Sequence, residues 1–199
     1  MNYEEIAEKL IGLRNADLEL REKLMQSGRL GEGYNAEMAK LHSINAKVLD
    51  EIIDTIGYPT VDKVGKEASK AAWLVIQHAI GQPHFMKKSA KLLKVAVNER
   101  KADPEDLAYL TDRIAVFEGK VQLYGTQFDW DENGEIKPNK FDDIAKVNQR
   151  RKAIGLNTLE EQIENMKERM TNENQKPPKD FAGRKQEYNK WRKSVGWTS

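Results

Sequence analysis

Apolar residues recur at helical spacing along most of the chain. Between residues 3 and 26, Ile6, Leu10, Leu13, Leu20 and Leu24 form one stripe of a long surface helix, interrupted by Asp17. Ser27-Gly28-Arg29-Leu30-Gly31-Glu32-Gly33 breaks it. Asn35 caps a second helix to about Ile56, with Met38, Leu41, Ile44 or Asn45, Val48 and Ile52 inward, and Gly57 ends it before the turn Tyr58-Pro59-Thr60. A third helix is predicted from about Lys66 to Ile80, stopping at Gly81. A fourth runs from Pro83 to about Arg100, carrying Leu92, Val95 and Ala96 and a solvated face of Lys87, Lys88, Lys91 and Lys94. Asp103-Pro104 opens a fifth, with the stripe Leu107, Leu110, Ile114, Phe117 and Val121. Asp142 or Asp143 opens a sixth that ends at Gly155, and Thr158-Leu159-Glu160-Glu161 is a capping box for a seventh, to about Met170.

Between the fifth and sixth helices the period changes. Residues 122–130 alternate, and Asp131-Glu132-Asn133-Gly134 follows with an Asn-Gly hairpin signal. A two-stranded ribbon pairing roughly 121–129 with 135–138 is the only sheet expected. The fold class is therefore mainly α: about seven helices with one small β-hairpin, spanning about 121–138. Residues 1–171 read as a single helical domain, and 172–199 as a linker with a short basic aromatic segment.

Composition narrows the chemistry. Among 199 residues there is no Cys, which removes disulfides, thiolate catalysis and Cys-type metal sites. Lys+Arg and Asp+Glu nearly balance, at a net charge of +1, so the whole chain is not a basic nucleic-acid binder. No apolar run is long enough for a membrane helix, and the acidic start Met1-Asn2-Tyr3-Glu4-Glu5 lacks a signal-peptide pattern. A cytoplasmic location without membrane contact is the expectation.

Three polar intrusions into apolar segments stand out. Residues 71–80 hold only Gln77 and His78 as strongly polar side chains, so both are expected inside and hydrogen-bonded, with Trp73 one turn from Gln77. A buried imidazole of this kind is either a satisfied core residue or a proton-transfer group. Ile144, Val147, Arg151 and Ile154 share a stripe, so Arg151 points at a core, with Arg150 beside it and Arg113 flanking the fifth helix. A guanidinium there calls for a carboxylate (Asp112, Glu118 and Asp143 are local) or a bound anion. In Gln122-Leu123-Tyr124-Gly125-Thr126-Gln127, alternation puts Gln122, Tyr124 and Thr126 on one face, and Gly125 permits close approach of a ligand or a helix.

Trp73-x-x-x-Gln77-His78-Ala79, Leu110-x-Asp112-Arg113, Glu118-Gly119-x-x-Gln122-x-Tyr124-Gly125-Thr126-Gln127 and Arg150-Arg151-x-x-x-Gly155-Leu156 resemble, in order and approximate spacing, an uncharacterised bacterial family defined as a domain of unknown function. Ile52-Ile53, Gly57-Tyr58-Pro59-Thr60 and Gly65 resemble its upstream segment. The resemblance covers about residues 40–160; Ile80 and Asn148 stand where family members often carry acids. It implies no activity, but it groups the three polar segments. The expectation is one pocket of Gln77, His78, Arg113, Gln122, Tyr124, Gln127 and Arg151, walled by Trp73, for a small anionic metabolite bearing phosphate or carboxylate. If catalytic, His78 is the general acid/base and Tyr124 a secondary proton donor in a metal-independent hydrolase, lyase or transferase, with Arg113 and Arg151 stabilising negative charge. The alternative is a non-catalytic interaction module whose buried polar residues are structural.

No cofactor and no metal are expected. His42, His78 and His84 are the only imidazoles, and no HExxH spacing occurs. Asp129-x-Asp131-x-Asn133-Gly134 matches the start of a calcium loop, but Lys140 stands where the bidentate Glu belongs, so a polar hairpin tip is the simpler reading. From Glu173 to Ser199, seven basic and three acidic residues interleave with Phe181, Tyr188, Trp191 and Trp197. Contact with nucleic acid there is the lesser expectation; docking of the aromatics on the protein's own domain is the greater.

Overall fold

The structure, a computed structural model, describes residues 2–30 and 33–199; Met1, and Gly31 and Glu32 of the glycine-rich break, lie outside the described residues. It is mainly helical with one small antiparallel sheet, as the patterning predicts. The chain divides into two compact units, Met1–Asp103 and Pro104–Ser199.

The first unit holds α1 (Tyr3–Gln26), α2 (Ala36–Ile56), α3 (Val61–His78) and α4 (Pro83–Asn98). Asn2 and Glu5 form a capping box on α1, and Asn35 caps α2 as expected. α1 packs on α2 and α3, α2 on α3, and α3 on α4. In α1 the buried positions are Ile6, Leu10, Asp17 and Leu24, so Asp17 lies on the inward stripe itself. In α2 the inward set is Met38, His42, Asn45, Ala46, Leu49, Ile52 and Ile53, while Ile44 is exposed. Of the expected alternatives Ile44 and Asn45 it is Asn45 that faces inward, and His42 and Leu49 rather than Leu41 and Val48 are buried, a rotation of about one position. Asn45 donates to the Leu13 carbonyl at 3.1 Å, which fixes α2 against α1. α3 begins earlier than Lys66: a first turn starts at Val61, and Gly65 at φ 77° kinks the helix before its main run.

The second unit holds α5 (Pro104–Phe117), β1 (Phe128–Trp130), β2 (Ile136–Pro138), α6 (Ile144–Ala153), α7 (Leu159–Asn172) and α8 (Phe181–Ser194). β1 and β2 pair antiparallel, Asp129 opposite Lys137. The ribbon is shorter than expected: Gln122 makes only an isolated bridge to Phe141, and a side chain rather than a partner strand takes the amides of Leu123, Tyr124 and Thr126, as described below. The basic aromatic segment forms the eighth helix.

Gly125 has φ 65°, and a Cβ there would lie 2.8 Å from a Leu159 side-chain carbon. The close approach foreseen at this glycine is to α7. Gly125→Ala is expected to cost about 1–3 kcal/mol, from backbone strain plus overlap. Urea unfolding would check this; an unchanged midpoint would contradict it.

Candidate functional site

Three helices of the first unit bring Asp17, His42 and His78 together. The Asp17 side chain is 1% exposed, and its Oδ2 accepts a hydrogen bond from His78 Nδ1 at 2.9 Å. His42 Nε2 lies equally close to the same oxygen, at 2.9 Å. The second carboxylate oxygen, Oδ1, has no hydrogen-bond partner among the described residues, and no hydrogen bond of good geometry reaches His42 Nε2. The three groups offer ligand atoms within 4.8 Å of one another. Behind them the Tyr34 hydroxyl lies 2.8 Å from His42 Nδ1, and the two rings stack with centroids 5.7 Å apart. The His42 and His78 rings are tilted with centroids 5.2 Å apart.

The members differ in access. Asp17 and His42 are buried, whereas the His78 side chain is 28% exposed. His78 is the last residue of α3, where the helix dipole favours positive charge. Burial by itself raises the Asp17 pKa, but the adjoining imidazoles reverse it and hold the carboxyl well below the usual carboxylate range. Burial, then the charge of Asp17, pushes the Tyr34 phenol above its ordinary value, so it remains protonated. A carboxylate flanked by two imidazoles, one of them accessible, can orient a proton-transfer group or hold a cation.

The residues expected to share one pocket fall in both units. Trp73, Gln77 and His78 belong to the first; Arg113, Gln122, Tyr124, Gln127 and Arg151 belong to the second. Gln77 is buried as expected, while His78 and Trp73 are only half-buried.

In the second unit the polar side chains hold the 122–127 loop. Asp112, fully buried, accepts from the backbone N–H groups of Leu123, Tyr124 and Thr126 and from the Thr126 hydroxyl. Gln122 Nε2 donates to the carbonyls of Gln127 and Asn139, and its Oε1 accepts from Gln127 N at 2.7 Å. Arg151, 2% exposed, donates to the carbonyls of Tyr124 and Asn157 and to Asn157 Oδ1. The expectation that Arg151 needs a carboxylate or an anion is corrected on this point: oriented carbonyl dipoles take its hydrogen bonds. Arg113 Nε donates to Gln127 Oε1 at 3.1 Å.

The hairpin tip and tail also resolve into structure. Asp131 Oδ1 accepts from the backbone of Asn133 and Glu135, and Lys137 holds Oδ2 at 2.7 Å. Arg184 pairs with Asp129 at 2.8 Å, so protein cations meet both acids of the calcium-like pattern. Tyr188, Trp191 and Trp197 pack on Phe117, with Trp197 at a centroid distance of 5.0 Å. Arg192 donates to the Phe117 carbonyl at the end of α5. The tail aromatics dock within their own unit.

A model for a family of unknown function, DUF6624, matches residues 4–172, and the chain belongs to that family. No curated protein and no solved structure matches the chain. The match is wider than the expected 40–160: it begins in α1, takes in Asp17, His42 and His78, and leaves out α8.

Asp17, which interrupts the α1 stripe, and His42, one of three imidazoles, carry no spacing that marks them as site residues. For Asp17 a signal was present, since a charge on an apolar helix stripe must find a partner, but nothing local named that partner.

Two predictions follow from these geometries. The Asp17 carboxyl has a folded pKa below its unfolded value of about 3.9, so its stabilising contribution is complete above about pH 5 and is lost as pH falls through and below that unfolded value. The unfolding free energy of wild type should drop more steeply between about pH 5 and pH 2 than that of Asp17→Asn; equal slopes would contradict the assignment. Asp112→Ala strands four donors and should cost about 2–4 kcal/mol in denaturant unfolding, whereas a loss below about 0.5 kcal/mol would mean the loop is held otherwise.

Proposed function

We propose that the protein is an enzyme whose reaction centre is the Asp17–His42–His78 cluster, and that a small ligand meets this centre at His78. The observation that carries the reading is a buried carboxylate set between two imidazoles, one of them accessible, with one carboxylate oxygen left without a hydrogen bond. Leaving such a group unsatisfied costs about 1–3 kcal/mol or more, and costs of this kind gather at functional sites.

The reading keeps His78 as the residue of action and gives it a support that sequence spacing did not reveal. With no cation present, Asp17 fixes the Nδ1–H tautomer of His78 and leaves Nε2 as the proton acceptor or donor. The chemistry is that of a hydrolase, lyase or transferase. The ligand is a small molecule bearing phosphate or carboxylate. The ionised Asp17 puts a negative charge at the centre of the cluster, so such a ligand calls for positive charge beside it.

Arg151, Gln122 and Gln127 are left out of the centre because their hydrogen bonds go to the 122–127 loop. That satisfied network favours the second reading, an interaction module with structural polar residues, for the second unit only.

Asn in place of His78 retains a donor near the position of Nδ1, so the fold should tolerate it to within about 1 kcal/mol. In a thermal-shift panel of phosphorylated and carboxylated metabolites, run with and without divalent cations, wild type should be stabilised by at least one compound. His78→Asn should not respond to that compound. An empty panel in both conditions, or an equal response from the variant, would overturn the reading.

A further inference from the structure

We infer that Asp17, His42 and His78 together bind one divalent transition-metal ion. The inference rests on the reading of this cluster as the reaction centre, and it names the cofactor and the origin of the ligand's attraction.

The donor set has the required chemistry. Two imidazole nitrogens and one carboxylate, with no sulfur, suit Zn²⁺, Fe²⁺, Co²⁺ or Mn²⁺. The donors come from three facing helices, α1, α2 and α3, the usual way a helical bundle builds a metal site. Three protein ligands with one accessible side leave positions for water and substrate, as catalytic sites do and closed structural sites do not.

The crowding of donors favours ligation over a plain hydrogen-bond chain. His42 Nε2 and His78 Nδ1 both sit 2.9 Å from Asp17 Oδ2, and Asp17 Oδ1 is buried with no hydrogen-bond partner among the described residues. Buried polar atoms usually find a partner, and here His42 and Asp17 face one another within a set of metal-ligating groups. A cation between them satisfies both. With metal–ligand bonds of about 2.0–2.2 Å, donors 2.9 Å apart subtend roughly a right angle at the ion, a separation that coordination allows.

Ligation and the acid–base role of His78 are exclusive: the acid–base role keeps the proton on Nδ1 and Nε2 free, whereas ligation through Nδ1 moves that proton to Nε2. Binding displaces the proton that Nδ1 of His78 shares with Asp17 and requires His42 to carry its proton on Nδ1. There the Tyr34 oxygen, 2.8 Å away, accepts it, so Tyr34 is a positioning residue for His42. One carboxylate under a divalent ion leaves the centre at net +1, which supplies the positive charge an anionic ligand needs.

The test is titration of the full, metal-stripped chain with Co²⁺, read by visible absorption, followed by displacement with Zn²⁺. Wild type is expected to bind one equivalent and show the bands of nitrogen–oxygen coordination. Asp17→Asn, His42→Gln and His78→Asn should each weaken binding at least 100-fold, with folding checked by circular dichroism. His84→Gln, which changes the one imidazole outside the cluster, should bind as wild type does. Tyr34→Phe should weaken binding about 10- to 100-fold; wild-type affinity there would remove the positioning role alone. Absence of stoichiometric Co²⁺ binding, or binding unchanged in His42→Gln, would overturn the metal site. If His78→Asn still abolished a wild-type metabolite response, the centre would stand as a metal-free acid–base site; if that response were also absent, both readings would fall.

Discussion

The first unit is organised around one buried negative charge. A carboxylate at 1% exposure, removed from water, costs several kcal/mol unless neighbouring groups compensate it. For Asp17 that compensation comes from imidazoles on two other helices, so α1, α2 and α3 can pack only in the register that brings His42 and His78 to it. Asn45, donating to the Leu13 carbonyl one turn along, reinforces the same register. A Leu at position 17 would bury more easily. An Asp there is understandable only through what the carboxylate does.

The second unit handles buried charge differently. Asp112 and Arg151 are both fully enclosed, yet their hydrogen bonds go to the backbone: Asp112 to amide N–H groups, Arg151 to carbonyls. Between them they clamp the two sides of the 122–127 loop, with Gln122 spanning its neck. Every named polar group in that network has a partner, which is the mark of a structural device. The cluster in the first unit keeps two buried atoms without one. Of the two fully buried carboxylates, Asp112 has both oxygens hydrogen-bonded and Asp17 only one.

The family boundary agrees with this division of roles. The matched stretch ends with α7, and α8 lies beyond it, docked through Tyr188, Trp191 and Trp197 on Phe117 and through Arg192 on the end of α5. A basic aromatic segment of this kind either docks on its own domain, the greater expectation, or offers a surface to nucleic acid. Here its aromatic rings are spent on packing within the chain, and Arg192 answers carbonyls that the last turn of a helix leaves open.

Local signals settled most of the secondary structure. Apolar periodicity, Asn and Asp caps, Asp-Pro, Asn-Gly and the Thr-x-x-Glu box are short-range physics, and they located α1, α2, α5, α6, α7 and the hairpin turn closely. They failed where an element depends on distant groups. Residues 122–127 alternate like a strand, but Asp112 takes the amides of Leu123, Tyr124 and Thr126, so pairing stops at the Gln122–Phe141 bridge. His78 was legible as a polar residue in an apolar helix, and Asp17 as a break in an apolar stripe. That these two belong with His42 was not legible, because they lie on separate helices and no rule of spacing links them. Only packing brings one carboxylate within hydrogen-bond distance of both imidazoles, since a charge confined to a low-dielectric interior has few other places to go.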